Sequence, residues 1–225
     1  MTSSPSVKQR NVVIYNPSRF TTEAWIPSLW IQSKTYYEKH GEKKDSWNWV
    51  LPVTDLLAGN SDHVRELLQQ TPPDVFAISL YVWNSEQAHS IARWVKETWP
   101  DCIVVSGGPH QYFKHNMNWF KDHPWLDASL PGECAGELFF QQLLDNINGN
   151  SIDWNTINDA CYPTKTKQIK YSKQRSSNPQ RKDFDYSWSA VHAQQTELEQ
   201  YWRFQAQHLP NAKRLSILDR KSTRL

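Results

Sequence analysis

Apolar runs and amphipathic stretches take turns along this chain. The run from Asp74 to Asn84, DVFAISLYVWN, is almost continuously apolar, as expected of a strand covered on both faces. The stretch after it, SEQAHSIARWVKETWPD, sets Ala88, Ile91, Ala92 and Val95 on one helical face behind a serine cap. CIVVSGG then reads as a strand, NMNWFKDHP as a helix, WLDASLPGE as a shorter strand, and GELFFQQLLDNING as a helix ending at Gly149. Upstream, NVVIYNPSR (Asn11 to Arg19) predicts the first strand. A helix follows, with its first turn at Pro27 and its stop at Gly41. SWNWVLPVTD suggests a short strand, and SDHVRELLQQTPPD a capped helix with a Pro-Pro stop.

Strand and helix thus alternate about five times, the signature of a parallel sheet with helices on both faces. The expected fold is α/β: a doubly wound, flavodoxin- or Rossmann-like, five-stranded parallel sheet over residues 11–150. Residues 1–10 read as a disordered polar tail, and 151–185 as a small hairpin (CYP with QIKYS) plus a basic linker. Residues 186–225 hold a helix from Ser189 to Leu209 and a final strand, KRLSIL. Val191, Leu198, Trp202 and Leu209 share one face of that helix and need cover. The part after Lys173 is expected to dock only loosely on the α/β domain and to be dispensable for its folding.

Composition narrows the partners. A net charge of +2 implies no polyanion, and the basic stretch Lys165 to Lys182 suits a solvated linker better than a nucleic-acid patch. No apolar stretch approaches the roughly 18 residues of a membrane span, and MTSSPSVKQR lacks the apolar core of a signal peptide. Cys102, Cys134 and Cys161 are widely and irregularly spaced. They form neither a zinc pattern nor a disulfide framework, which suits a cytoplasmic protein. Most of the twelve tryptophans are expected in core or half-buried packing.

In an open parallel sheet, ligands bind beyond the carboxyl ends of the strands, where strand order reverses. Those ends here are Asn16, Pro17 and Ser18; Ser79, Tyr81, Trp83 and Asn84; Gly107, Gly108, Pro109 and His110; and Pro131, Gly132 and Glu133. The Gly-Gly pair admits a close approach by either a neighbouring segment or a ligand. No dinucleotide fingerprint or P-loop is present, and Asn16 and Tyr81 stand where a phosphoacceptor receiver needs acids. No nucleophile-base pair and no metal-ligand spacing is found. The residues alone therefore stop at a ligand-binding α/β domain.

PPDVFAISLYVWN, IVVSGGPH and HPWLDASLPGECAGELFFQQLL, in that order over residues 11–145, resemble the cobalamin-binding domain of cobalamin-dependent radical SAM proteins. VVIYNPSR fits the opening strand of that family. GECAGE departs from its tighter Gly-Glu-Gly-Glu and leaves the roles of Glu133 and Glu137 open. The resemblance implies cobalamin as cofactor and reads the glycine pair as bare backbone against a wide corrin. The loop NPSRFTTEAWIP lacks the cobalt-ligating histidine of methionine synthase-type domains. His110 is then expected to pack or hydrogen-bond near the cofactor tail, whereas His63, His89, His115 and His123 read as surface residues.

A radical SAM enzyme also needs a Cys-x-x-x-Cys-x-x-Cys loop for its four-iron cluster, and this sequence has none. The iron–sulfur cluster and S-adenosylmethionine are therefore expected only in a radical SAM domain joined in cis. The chain reads as a fragment ending near the first strand of that domain, its last residues resembling translated adapter sequence. Alone it is expected to be non-catalytic, a module for methyl transfer or related radical chemistry. Two other readings stay open: a degenerate α/β interaction domain without cofactor, and a flavodoxin-like nucleotide or flavin binder.

Overall fold

The computed structural model describes residues 9–16, 23–25, 28–50, 61–108, 110, 119–130, 136–149, 151–166, 168–172, 194–208 and 214–216. Its strands are β1 (Arg10–Tyr15), β2 (Glu23–Trp25), β3 (Trp47–Trp49), β4 (Val75–Ser79), β5 (Ile103–Gly107), β6 (Ala128–Ser129), β7 (Cys161–Pro163), β8 (Ile169–Tyr171) and β9 (Arg214–Ser216). The helices are α1 (Ser28–His40), α2 (Ser61–Gln70), α3 (Ser85–Thr98), α4 (Trp119–Asp122), α5 (Gly136–Asn146) and α6 (Gln195–His208). None of the described helices is long and apolar enough to cross a membrane.

The main sheet runs β3-β1-β4-β5-β6-β7-β8. Its first five strands pair in parallel, so the α/β expectation and its helices on both faces hold. The strand count needs correcting. The hairpin β7–β8, expected as a separate appendage, adds antiparallel to β6 through Ser129 and Cys161 and brings the sheet to seven strands. Arg10, expected at the end of the tail, is already strand.

Alternation along each central strand divides the core. Val12, Ile14, Val75, Ala77, Ile103 and Val105 face α1 and α5, meeting Trp30, Ile31, Phe140 and Leu143. Val13, Tyr15, Phe76, Ile78 and Val104 face α2, α3 and α4, meeting Leu68, Ile91, Val95 and Phe120. Burial on both sides explains the unbroken apolar runs.

Two aspartates tie the amino ends of the strands. Asp74 accepts from the Asn11 N–H at 2.8 Å and from Arg10 Nε at 3.3 Å, joining β4 to β1. Asp127 accepts from the Val104 N–H at 2.8 Å and from Lys96 Nζ, which also donates to the Cys102 carbonyl. Burial pushes the Asp127 carboxyl above its ordinary range, against the pull of Lys96.

Helix α6 is not loosely attached. Leu198 of α6 is 1% exposed and lies in the same core cluster as α1 and α5. Lys34 of α1 donates to Glu197 at 2.8 Å and to the Gln194 side chain, and Gln194 donates in turn to Glu38 at 2.6 Å. β9 pairs in parallel with β2, forming a second, two-stranded sheet with a segment just downstream of β1. The expectation of loose docking weighed only the few apolar residues of the linker, and for α6 the buried Leu198 corrects it. Among the described residues, one buried leucine and a part-buried charge cluster dock the helix. Val191 and Leu209, and the side chain of Trp202, lie outside the described residues.

Candidate functional site at the carboxyl edge of the sheet

From β1 the chain crosses to β3 on one side, then returns past β1 to β4 on the other. Strand order reverses between β1 and β4, which makes the gap beyond Tyr15 and Ser79 the switch point. Asn16 and Asn84 meet there: Asn84 Nδ2 donates to Asn16 Oδ1 at 3.2 Å. Asn84 is only 3% exposed. Its side chain also donates to the Ser79 carbonyl at 3.1 Å and accepts from the Tyr81 N–H at 2.8 Å. Asn84, not a serine, occupies the N-cap position of α3, and Ser85 is the first helical residue.

Between these anchors the 81–83 turn faces outward. Tyr81 and Trp83 stack with ring centroids 4.7 Å apart and an interplanar angle of 16°. Val82 is 78% exposed and Trp83 48%, large apolar side chains open to solvent at the switch point.

The neighbouring turn explains the glycine pair. Gly108 has φ +104°, and a Cβ there would stand 2.5 Å from the Leu80 carbonyl oxygen and 2.7 Å from its nitrogen. Leu80 donates to the Gly107 carbonyl at 2.7 Å and accepts from the His110 N–H at 3.1 Å, so the two turns are laced together. The neighbour that excludes a side chain at Gly108 is therefore the protein's own Leu80 backbone. At Gly107 a Cβ would meet Leu130 at an ordinary 3.8 Å.

The structure thus gathers Asn16, Ser79, Tyr81, Trp83, Asn84, Gly107, Gly108 and His110 at one edge. Pro17, Ser18, Pro109, Pro131, Gly132 and Glu133 lie outside the described residues. The sequence reading passed over Ser106 and Ser129, buried register partners on β5 and β6 close to the same edge. A hydroxyl interrupting an apolar strand just before a glycine turn was the available signal.

A cleft of about 510 Å³ adjoins the 81–83 turn, with Val82, Glu86, His89, Arg93, His123 and Trp125 among its walls. His89 is not a surface residue: it is 8% exposed and packs against His123 with ring centroids 4.1 Å apart. An amphipathic pattern puts it at the margin of the apolar face, and the aromatic rings of Trp119 and Trp125 extend that face over it.

Among the described residues, no group of three or more His, Cys, Asp or Glu is arranged to hold a metal ion. Burial pushes the thiols of Cys102 and Cys161 up, so both are protonated at neutral pH.

No family model matches the chain. It is 44% identical over 124 residues to the cobalamin-dependent radical SAM methyltransferase TokK of Streptomyces tokunonensis, covering 55% of this chain. It is 45% identical over 112 residues to the 2-(S-pantetheinyl)-carbapenam-3-carboxylate methyltransferase of Streptantibioticus cattleyicolor, covering 49%. Over about half its length the chain is thus similar to a cobalamin-dependent radical SAM methyltransferase. The chain spans only 17% and 15% of the length of these two relatives. The fold matches that of the cobalamin-dependent S-adenosylmethionine radical enzyme OxsB, solved with aqua-cobalamin and S-adenosylmethionine bound. The TM-score is 0.63 at 12% identity, covering 87% of this chain and 26% of OxsB.

Proposed function

We propose that this chain is the cobalamin-binding part of a radical SAM methyltransferase and holds the cofactor at the carboxyl edge of its sheet. The observation that carries this reading is the apolar Val82–Trp83 patch standing open at the β1/β4 switch point. A broad corrin needs apolar surface beneath its ring and polar groups around its amide fringe. Tyr81, Val82 and Trp83 offer the first. The turns ending in Asn16 and His110 offer the second, and Ser79, Ser106 and Ser129 bring hydroxyls close to the same edge. The resemblance adds Pro17, Ser18, Pro109, Pro131, Gly132 and Glu133 to that rim.

When bound, cobalamin supplies a carrier for a methyl group, and the protein contributes position and surroundings. The work of this chain's residues is to bind and orient. The iron–sulfur cluster and S-adenosylmethionine belong in this reading to a radical SAM domain in cis, in keeping with the small share of its relatives that the chain spans.

The test is retention. Purified protein is mixed with hydroxocobalamin, or in parallel with a flavin, then desalted and read by visible absorption. Retained corrin bands support the proposal. Retained flavin alone favours a flavodoxin-like binder, and retention of neither favours an interaction domain.

A further inference from the structure

The N-cap of α3 breaks a local rule. Asparagine at an N-cap ordinarily turns its side-chain oxygen onto the first free N–H groups of its own helix. Asn84 occupies that position with φ −118° and ψ −1°, yet its side chain makes no capping hydrogen bond. It points backwards instead. The oxygen takes the Tyr81 N–H at 2.8 Å, while the amide donates to the Ser79 carbonyl at 3.1 Å and to Asn16 Oδ1 at 3.2 Å. The backbone partners dictate this orientation, since an N–H can meet only an acceptor and a carbonyl only a donor. The backbone closes the same turn, with the Asn84 N–H donating to the Tyr81 carbonyl at 3.2 Å.

We propose that Asn84 is a positioning residue, a brace that pins the Tyr81–Trp83 turn to the end of β4 and ties it across the switch point to Asn16 at the end of β1. A residue that forgoes a stabilising cap to hold a neighbouring turn is doing so where geometry matters more than helix stability. The exposed apolar pair Val82–Trp83 lies within the turn that Asn84 closes onto Tyr81. The role for ligand binding rests on the proposed cofactor reading; the brace itself does not.

Aspartate separates a brace from a cap. As a cap, Asn84→Asp and Asn84→Ser should be neutral, because all three residues cap comparably. As a brace, Asn84→Asp sets a carboxylate against two acceptors, the Ser79 carbonyl and Asn16 Oδ1, in a buried position. Asn16→Ala removes only the link between strands and leaves the rest of the turn in place. Amide hydrogen exchange is followed at Tyr81 and in the interior of α3, and hydroxocobalamin affinity is measured on the same proteins.

In Asn84→Asp, repulsion from the Ser79 carbonyl and Asn16 Oδ1 drives the carboxylate out of the turn and takes the acceptor of the Tyr81 N–H with it. The brace therefore predicts exchange at Tyr81 faster by about tenfold or more in this variant, with α3 interior protection retained. It also predicts weaker corrin binding in both Asn84→Asp and Asn16→Ala. Unchanged exchange at Tyr81 in Asn84→Asp overturns the brace. If Asn84→Asp does not fold, Asn16→Ala decides: unchanged Tyr81 exchange and unchanged affinity overturn the link across the switch point. Wild type that fails to bind corrin but shows the exchange effect sinks the cofactor reading and leaves the brace standing.

Discussion

The backbone of Leu80 stands where a side chain on Gly108 would have to go. With φ at +104° and only 2.5 Å between an added Cβ and the Leu80 oxygen, no other residue fits without moving the 80–84 turn. Gly108→Ala should therefore cost stability outright, by about 1–3 kcal/mol, from strained backbone and a contact that cannot yield. Gly107→Ala has ordinary space and a negative φ, and should change stability by less than about 1 kcal/mol. Urea denaturation of the two variants checks this. Equal effects would remove the Leu80 contact from the account.

The C-terminal helix is part of the folded unit. Leu198→Ala should destabilise the protein by about 2–5 kcal/mol, in line with deletion of a fully buried leucine. Truncation after Ser172 should lower the melting temperature as well, because it uncovers the α1 face around Lys34. A truncated protein as stable as the full chain would show that α6 contributes nothing by docking.

That docking should respond to acid. Burial pushes the Glu197 carboxyl up, but the Lys34 hydrogen bond and charge outweigh it and hold the group below its ordinary range. A carboxyl lowered on folding contributes stability that is present above its unfolded pKa of about 4.3 and is lost as pH falls through the folded value. The contribution of α6 should thus be intact at pH 6 and fade below about pH 4. In Glu197→Gln the stability difference from wild type should shrink as pH drops through that range. A difference constant from about pH 6 to about pH 3 would contradict the Lys34–Glu197 link.

Much of this was legible in the sequence, and the exceptions have physical causes. The β4 and β5 runs, the helical faces of α3 and α5, and the gathering of strand ends at one edge all follow from local pattern and the switch-point rule. Long-range contacts do not. Leu198 finds its cover on α1, far away in the chain, and no local period announces that. β7 joins β6 through an edge pairing whose short strands read equally well as a free hairpin. The sequence places Asn84 among the ligand-edge residues and Ser85 as the cap, because sequence position does not reveal which way an amide turns. The glycine pair was seen, but the sequence left two neighbours possible. The Leu80 backbone is the one the structure supplies.

The most direct test of the central claim is equilibrium titration of hydroxocobalamin against wild type and a Val82→Asp/Trp83→Asp variant. Both side chains are substantially exposed, so the variant should fold with a melting temperature close to wild type. Saturable binding by wild type, weakened by about tenfold or more in the variant at unchanged stability, is the predicted result. Equal binding by the two proteins, or no binding by wild type, would contradict a cobalamin site on this edge.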